Sequence, residues 1–313
     1  MSVLISPTIT GPTLLGILLN WGFMGVLAVQ IYTYHENFND RTIVKLLVYG
    51  LVLLDVIQTV MVTADGFHWF VYGFGNLAQL DETFLNSWDV PVLDSIIALC
   101  AQAFYCWRIY FLRKGLVIPV LILLVSLTQF AAGIVTGVRG HQNGHLSLLN
   151  KNTVSETVWL AGAAVADLAI AGVLSWTLLR QRSHALPGNR SIISRIVRLI
   201  VETNALTAGV AVIAVILFWT SPATAFVATP VAIIGKLYTN CLLALFNNRM
   251  KDTKTNANSH GMVSLQLPPN STSPENSNSH HGHNSVKVHV TRHTDLKYES
   301  ESMERGETKR ELD

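Results

Sequence analysis

The chain has 313 residues, 50% of them hydrophobic and only 13% charged, where a soluble domain carries about 25% charged residues. The net charge of +2, with no basic stripe interleaved with aromatics outside the apolar segments, excludes nucleic acid as a partner. Polar residues crowd into the stretch from Lys254 to Asp313, so the first 250 residues are poorer still in charge, as expected of a chain bathed in lipid.

The opening MSVLISPTITGP has no Lys or Arg and no cleavage pattern after a short apolar core. It does not read as a signal peptide, and the first apolar span is expected to be the membrane-targeting segment. A bilayer core of about 30 Å needs about 20 apolar residues at about 1.5 Å each. Seven segments qualify: 12–33, 43–65, 91–112, 116–138, 156–179, 195–219 and 225–246. The breaks are polar or turn-forming: HENFNDR at 35–41, Arg113-Lys114-Gly115, the stretch Arg139 to Asn152, Pro187-Gly188-Asn189 with Ser191 as a helix cap, and Thr220-Ser221-Pro222. Seven such helices buried in a soluble protein would leave too few polar residues to cover its outside. The expected fold is therefore an all-α integral membrane seven-helix bundle over residues 1–250, with a disordered cytosolic tail over 251–313. Within that tail, SHHGH at 279–283 reads as low complexity, and Val286 to Val290 alternates as a strand-addition segment would. Cys100, Cys106 and Cys241 all fall in apolar spans and are expected to be buried thiols.

Basic residues orient the bundle. With the N terminus outside, the inner side holds Arg41, Lys45, Arg108, Arg113, Lys114, Arg180, Arg182, Arg190, Arg195, Arg198, Arg249, Lys251 and Lys254, and the outer side only Arg139 and Lys151. The C terminus is then cytosolic, in the plasma membrane or an internal one. Both N-x-S/T sequons, at Asn189 and Asn270, fall on the cytosolic side and should carry no glycan. Arg108, Arg113, Lys114, Arg190, Arg195 and Arg198 are expected at the cytosolic face, with the last three against anionic headgroups. The outer loop 66–90 holds Phe67, Trp69, Phe70, Tyr72, Phe74, Phe84 and Trp88 and no Lys or Arg. Two readings stand, an interfacial belt or an aromatic lid over a pocket.

An Asp, Lys or Arg at the centre of a membrane helix costs roughly 3 kcal/mol on insertion scales, so such residues face the bundle and find partners. From the predicted inner ends, Asp55 and Asp167 lie at a depth of ~18 Å, Lys236 at ~15 Å and Glu202 at ~10 Å. One internal polar cluster is expected from them. Gln58 and Thr59 share a helical face with Asp55, Thr239 and Asn240 share one with Lys236, and Asn20 and Gln102 lie at similar depth. The candidate ligand or ion site is Asp55, Gln58, Gln102, Asp167, Glu202, Lys236 and Asn240. The alternative is polar glue between helices, with Ala163, Asp167 and Ala171 as a close-packing stripe. A retinal Schiff base on Lys236 is disfavoured, since Ala232 stands where an acid is needed and Asp94 lies at the outer end of the third span. His141 and His145 lack a third ligand, so no metal is expected, and no other cofactor.

The stretches LLGILLNWGFMGVLAVQIYTY (14–34), LVLLDVIQT (51–59), WRIYFL (107–112), AVADLAIAGVLSWTLLR (164–180), SRIVRLIVETNALTA (194–208) and KLYTNCLLALFNNR (236–249) resemble a basidiomycete fungal family of seven-helix membrane proteins catalogued as a domain of unknown function. The resemblance spans about 11–250 and takes in Asp55, Arg108, Asp167, Glu202, Lys236, Tyr238 and Asn240; Asn204 departs from it, where the family often has a small residue. It implies this architecture and no assigned activity. G-protein-coupled receptors share only the topology, because Trp107 precedes Arg108 where they carry an acid and no N-P-x-x-Y follows.

A receptor-like or sensory protein is the leading expectation. Its partners would be the bilayer, a small-molecule ligand within the bundle and a cytosolic protein at the third inner loop and tail. A small-molecule or proton-coupled transporter is the alternative, although no internal repeat or Gly/Pro-broken helix pair supports it. A membrane scaffold is a further one. No H-E-x-x-H or G-x-S-x-G motif argues for an enzyme.

Overall fold

The computed structural model describes residues 5–76, 78–145, 153–184, 187–221 and 225–248. The tail with its SHHGH and Val286 to Val290 stretches and Asn270, together with Lys151, Asn152, Pro222, Arg249, Lys251 and Lys254, lies outside the described residues, as do the side chains of Asn189 and Ser191. The described helices are α1 (Ile5–Asn37), α2 (Thr42–Phe67), the single turn α3 (Asn86–Asp89), α4 (Pro91–Arg113), α5 (Val117–Asn143), α6 (Thr153–His184), α7 (Pro187–Thr220) and α8 (Ala228–Asn247). Among the described residues there is no strand, only an isolated bridge between Glu82 and His145.

All of these helices except α3 are long and apolar enough to cross a membrane, seven in all. Their distribution of polarity is that of a protein in lipid. Leu18, Leu46, Leu53, Val60, Phe111, Leu168 and Ile213 are exposed, while Asp55, Asp94, Gln102, Asp167 and Lys236 have no accessible surface. Apolar side chains have nothing to gain by leaving lipid, whereas polar ones are driven inward to find partners. The chain is a multi-pass membrane protein.

Two helices form the centre. The apolar window of α8 is 72% buried and that of α4 56%, against 17% for α1. α8 packs on α1, α2, α4 and α7, and α4 packs on α2, α5, α6 and α8. Small residues let α4 and α5 approach closely. A Cβ on Gly137 would stand 2.6 Å from the Ser87 carbonyl oxygen, and one on Gly133 would press on the Ser95 side chain.

Several segment ends differ from the sequence-based expectation. The helix predicted to end near 65 continues through Phe67 into a π-turn, His68–Tyr72, so part of the 66–90 loop is ordered helix. α5 runs on to Asn143, which places Arg139 and His141 on a helix, and Gly144 closes it in the left-handed conformation at φ 72°. Ser191 is not a cap: α7 begins at Pro187, whose missing N–H would have been an orphan at that position anyway. The segment expected as the third inner loop is therefore mostly helix, with Arg180 and Arg182 in α6 and Arg190, Arg195 and Arg198 in α7. The Arg113-Lys114-Gly115 turn is tight, but Lys114 rather than the glycine takes the left-handed position, at φ 54°.

The turns between α2 and α4 form a cap at one end of the bundle. Trp69 points inward, buried, and its indole N–H donates to the Glu82 carbonyl at 2.9 Å. Phe67, Tyr72, Phe74, Phe84 and Trp88 stay exposed, so the aromatics divide between an inward plug and an outward rim.

Candidate functional site

α2 buries one stripe, Val48, Leu51, Asp55, Gln58, Thr59, Val62 and Asp65, at the three- and four-residue spacing of a helical face. Lys236 of α8 projects into this stripe. Its ammonium donates to the Asp55 carbonyl at 2.7 Å, to Asp55 Oδ1 at 3.1 Å and to Gln58 Oε1 at 3.0 Å. A lysine has three N–H donors, and all three are used. The amide of Gln58 turns its other end outward and donates to the Asp89 carbonyl at 2.9 Å and to Asp94 Oδ1 at 2.5 Å. Asn20 of α1 closes the cluster, donating to the Ala232 carbonyl at 2.8 Å and accepting from Thr59 Oγ1 at 3.2 Å. Four helices, α1, α2, α4 and α8, thus meet on one buried polar node.

A second node lies on the opposite side of α8. Asp167 of α6 accepts from Gln102 Nε2 at 3.0 Å on one oxygen, and from Thr207 Oγ1 at 2.5 Å and Tyr238 OH at 2.9 Å on the other. Gln129 of α5 donates to Gln102 Oε1 at 3.2 Å. α4, α5, α6, α7 and α8 are joined here by neutral donors.

The single cluster expected from depth is therefore two. At about 100° per residue, Lys236 and Tyr238 point some 200° apart around α8. Depth along the membrane normal places Asp55, Asp167 and Lys236 at a common level, but the rotation of α8 puts Lys236 against α2 and leaves Asp167 to Tyr238. Glu202 joins neither node; its side chain is exposed on the outside of the bundle. Asn240 binds α1 instead, donating to the Phe23 carbonyl at 3.3 Å and to its own helix at the Lys236 carbonyl, 2.8 Å. The cysteines are free thiols in or against the core.

The two nodes differ in how well they are satisfied. Both Asp167 oxygens have donors. On the Lys236 side, Asp55 Oδ2, Asp94 Oδ2, Asp65 Oδ2 and both Asp89 oxygens are buried without a hydrogen-bond partner. Buried polar atoms are nearly always paired, so a group of unpaired carboxylate oxygens calls for an explanation. Asp65 and Asp89, and the place of Asp94 in the node, were not evident from span-by-span reading. A signal was there: between Lys45 and Arg108 the chain has six acidic residues and no Lys or Arg.

Among the basic residues expected at the cytosolic face, Arg113 lies over the Trp176 ring, 4.7 Å from its centroid, with Arg180 at 5.9 Å. Arg195 reaches the Asn248 carbonyl at 3.4 Å. Lys114, Arg190 and Arg198 are exposed and Arg108 is half-buried. His141 packs beside Trp88, and His145 faces Asp81 at 3.4 Å. Among the described residues no group of three His, Cys, Asp or Glu side chains is placed to hold a metal.

Residues 163–251 match a family of unknown function, DUF6534. The match is shorter than the 11–250 expected and carries no fungal origin. It takes in Asp167, Glu202, Lys236, Tyr238 and Asn240, so the matched region holds Lys236 of the first node and Asp167, Thr207 and Tyr238 of the second, while Asp55, Gln58, Asp94, Gln102 and Gln129 lie outside it. No curated protein and no solved structure matches the chain.

Proposed function

We propose that this is a receptor-like or sensory membrane protein, not an enzyme, whose internal switch is the Lys236 node. The N terminus and the cap lie outside and the C terminus in the cytosol, as the basic residues argue. The observation that carries this reading is the choice of partners around one buried ammonium. Lys236 is bonded to Asp55 and Gln58 of α2, and the carboxyls of Asp94 on α4 and Asp89 on α3 lie within its electrostatic reach. A ligand that favours a different carboxylate for Lys236 changes how α8 sits on α2 and α4, and a buried core passes such a change on as an alternative packing. The α6 and α7 ends carrying Arg180, Arg182, Arg190, Arg195 and Arg198 would then meet a cytosolic protein. Saturation of the Lys236 donors argues against a Schiff-base role.

The unpaired carboxylate oxygens favour a second reading, proton-coupled transport. A thermal-shift screen of small molecules on the purified full chain tests the first. A compound that stabilises the wild type, stabilises Asp55→Asn much less and drives no current in liposomes supports a receptor. Electrogenic flux moves the assignment to a transporter. Equal stabilisation of wild type and Asp55→Asn by every active compound removes the node from the ligand's reach and refutes the reading.

A further inference from the structure

At the cap end the Lys236 node continues into a pair of carboxyl groups with no cation of their own. Asp65 closes the buried stripe of α2, and Asp89 ends α3. Their carboxyl groups lie against one another. Asp65 Oδ1 accepts from the Leu85 N–H at 2.9 Å. Asp65 Oδ2 and both Asp89 oxygens accept no hydrogen bond of full geometry, the Val90 N–H being the backbone donor beside Asp89, and the two residues are 1% and 0% exposed. Ionised carboxyls only accept hydrogen bonds, so two of them cannot satisfy each other; a positive charge between them can.

The charged groups around the pair do not supply it. His68, from the π-turn beyond α2, is within electrostatic range of Asp65, but its ring is bonded to Glu82 at 3.0 Å and stacked on Phe84. From α4, Asp94 adds a further carboxyl. From α8, Lys236 is in range of Asp89, yet its three donors are committed to α2. A cleft lined by Thr13, Ile17, Val62, Asp65, Trp69 and Asn86 opens on the Asp65 side of the pair and has room for about one water-sized occupant.

We propose that Asp65 and Asp89 form a binding site for one small monovalent cation, a proton or a sodium ion, entered through the cleft beneath Trp69. The hollow is too small for an organic amine. Two carboxylates without a third charged ligand suit a monovalent ion better than calcium, which takes six or more oxygens. Occupancy is linked to the switch by one amide: Gln58 donates to the Asp89 carbonyl and accepts from Lys236. The site's effect on signalling rests on the receptor-like reading; the binding itself does not.

The test uses the full chain in nanodiscs, with no organic ligand. Thermal unfolding is followed in sodium chloride and in N-methyl-glucamine chloride at equal ionic strength, at mildly acidic and mildly alkaline pH. At alkaline pH sodium is expected to raise the Tm saturably. Acid is expected to raise it in glucamine and to weaken sodium by up to about tenfold per pH unit, the limit for competition with one proton. Asp65→Asn and Asp89→Asn should each lose the sodium response and part of the acid response, and Glu202→Gln, on the exposed face of α7, should keep both. A response to acid but not to sodium, diminished in both Asn variants, supports the site with the proton as its cation, the remainder belonging to the other buried carboxyls, Glu156 and Asp167. Indifference to both ions, or a response undiminished in both Asn variants, overturns the proposal. Should those variants fail to fold, infrared spectra of the wild type decide. A protonated-carboxyl band bleached by sodium supports the site, and a band indifferent to sodium overturns it. A failed ligand screen leaves this test standing, and a missing cation response leaves the receptor test standing.

Discussion

Replacing Lys236 by methionine keeps the length and much of the volume of the side chain and removes every donor. The ammonium makes three hydrogen bonds, at 2.7, 3.1 and 3.0 Å, to two side-chain oxygens and one carbonyl. Both it and Asp55 have 0% side-chain exposure. Without it, Asp55 is a buried carboxylate with no counter-charge and with Oδ2 already unpartnered. Removing one member of a buried pair costs about 3–5 kcal/mol, most of it from the charge left behind. Asp55→Asn should be milder, about 1–3 kcal/mol. In that variant the Asp55 carbonyl and Gln58 remain as acceptors, and Asp94 and Asp89 still balance the ammonium. The double variant should cost less than the sum of the two, by a coupling of about 0.5–3 kcal/mol. Equilibrium unfolding of the purified chain in bicelles, run as a double-mutant cycle, measures all three. A Lys236→Met protein within about 1 kcal/mol of wild type, or no more destabilised than Asp55→Asn, would refute the electrostatic account of this node.

Three further outcomes follow from the packing and can be read in the same unfolding assay. Tyr238→Phe removes one of the three donors to Asp167 and should destabilise by about 1–2 kcal/mol, while leaving the cation response at Asp65 and Asp89 unchanged because the nodes lie on opposite sides of α8. Gly137→Ala drives a methyl against the Ser87 carbonyl and should cost about 1–3 kcal/mol by forcing α5 away from α3 and α4. Glu202→Gln, on the exposed face of α7, should stay within about 0.5 kcal/mol of wild type; a large loss there would mean that Glu202 belongs to a buried site after all.

Run length and hydropathy were enough to read the number of spans, their approximate ends and the inward-facing stripe of α2, because each is a property of one segment against one solvent. The burial of Asp55, Gln58, Gln102, Asp167 and Lys236 was legible for the same reason: a polar group in lipid has only the interior to go to. Partner choice was not. It depends on how each helix is rotated and which helix stands next to it, and neither quantity is written in a single segment. Lys236 and Tyr238, two residues apart, serve different nodes because α8 is surrounded on all sides. Glu202 looked like a member by depth and was turned outward by the rotation of α7. Asp65 sits at a predicted span end and Asp89 in the predicted outer loop, where a carboxylate is ordinarily solvated; only the fold of the cap, with Trp69 inward and Leu85 bonded to Asp65, takes them out of water. Seven spans could be read from the chain alone, whereas the division of their polar interior into one node whose carboxylate is fully bonded and one short of positive charge was decided by tertiary packing.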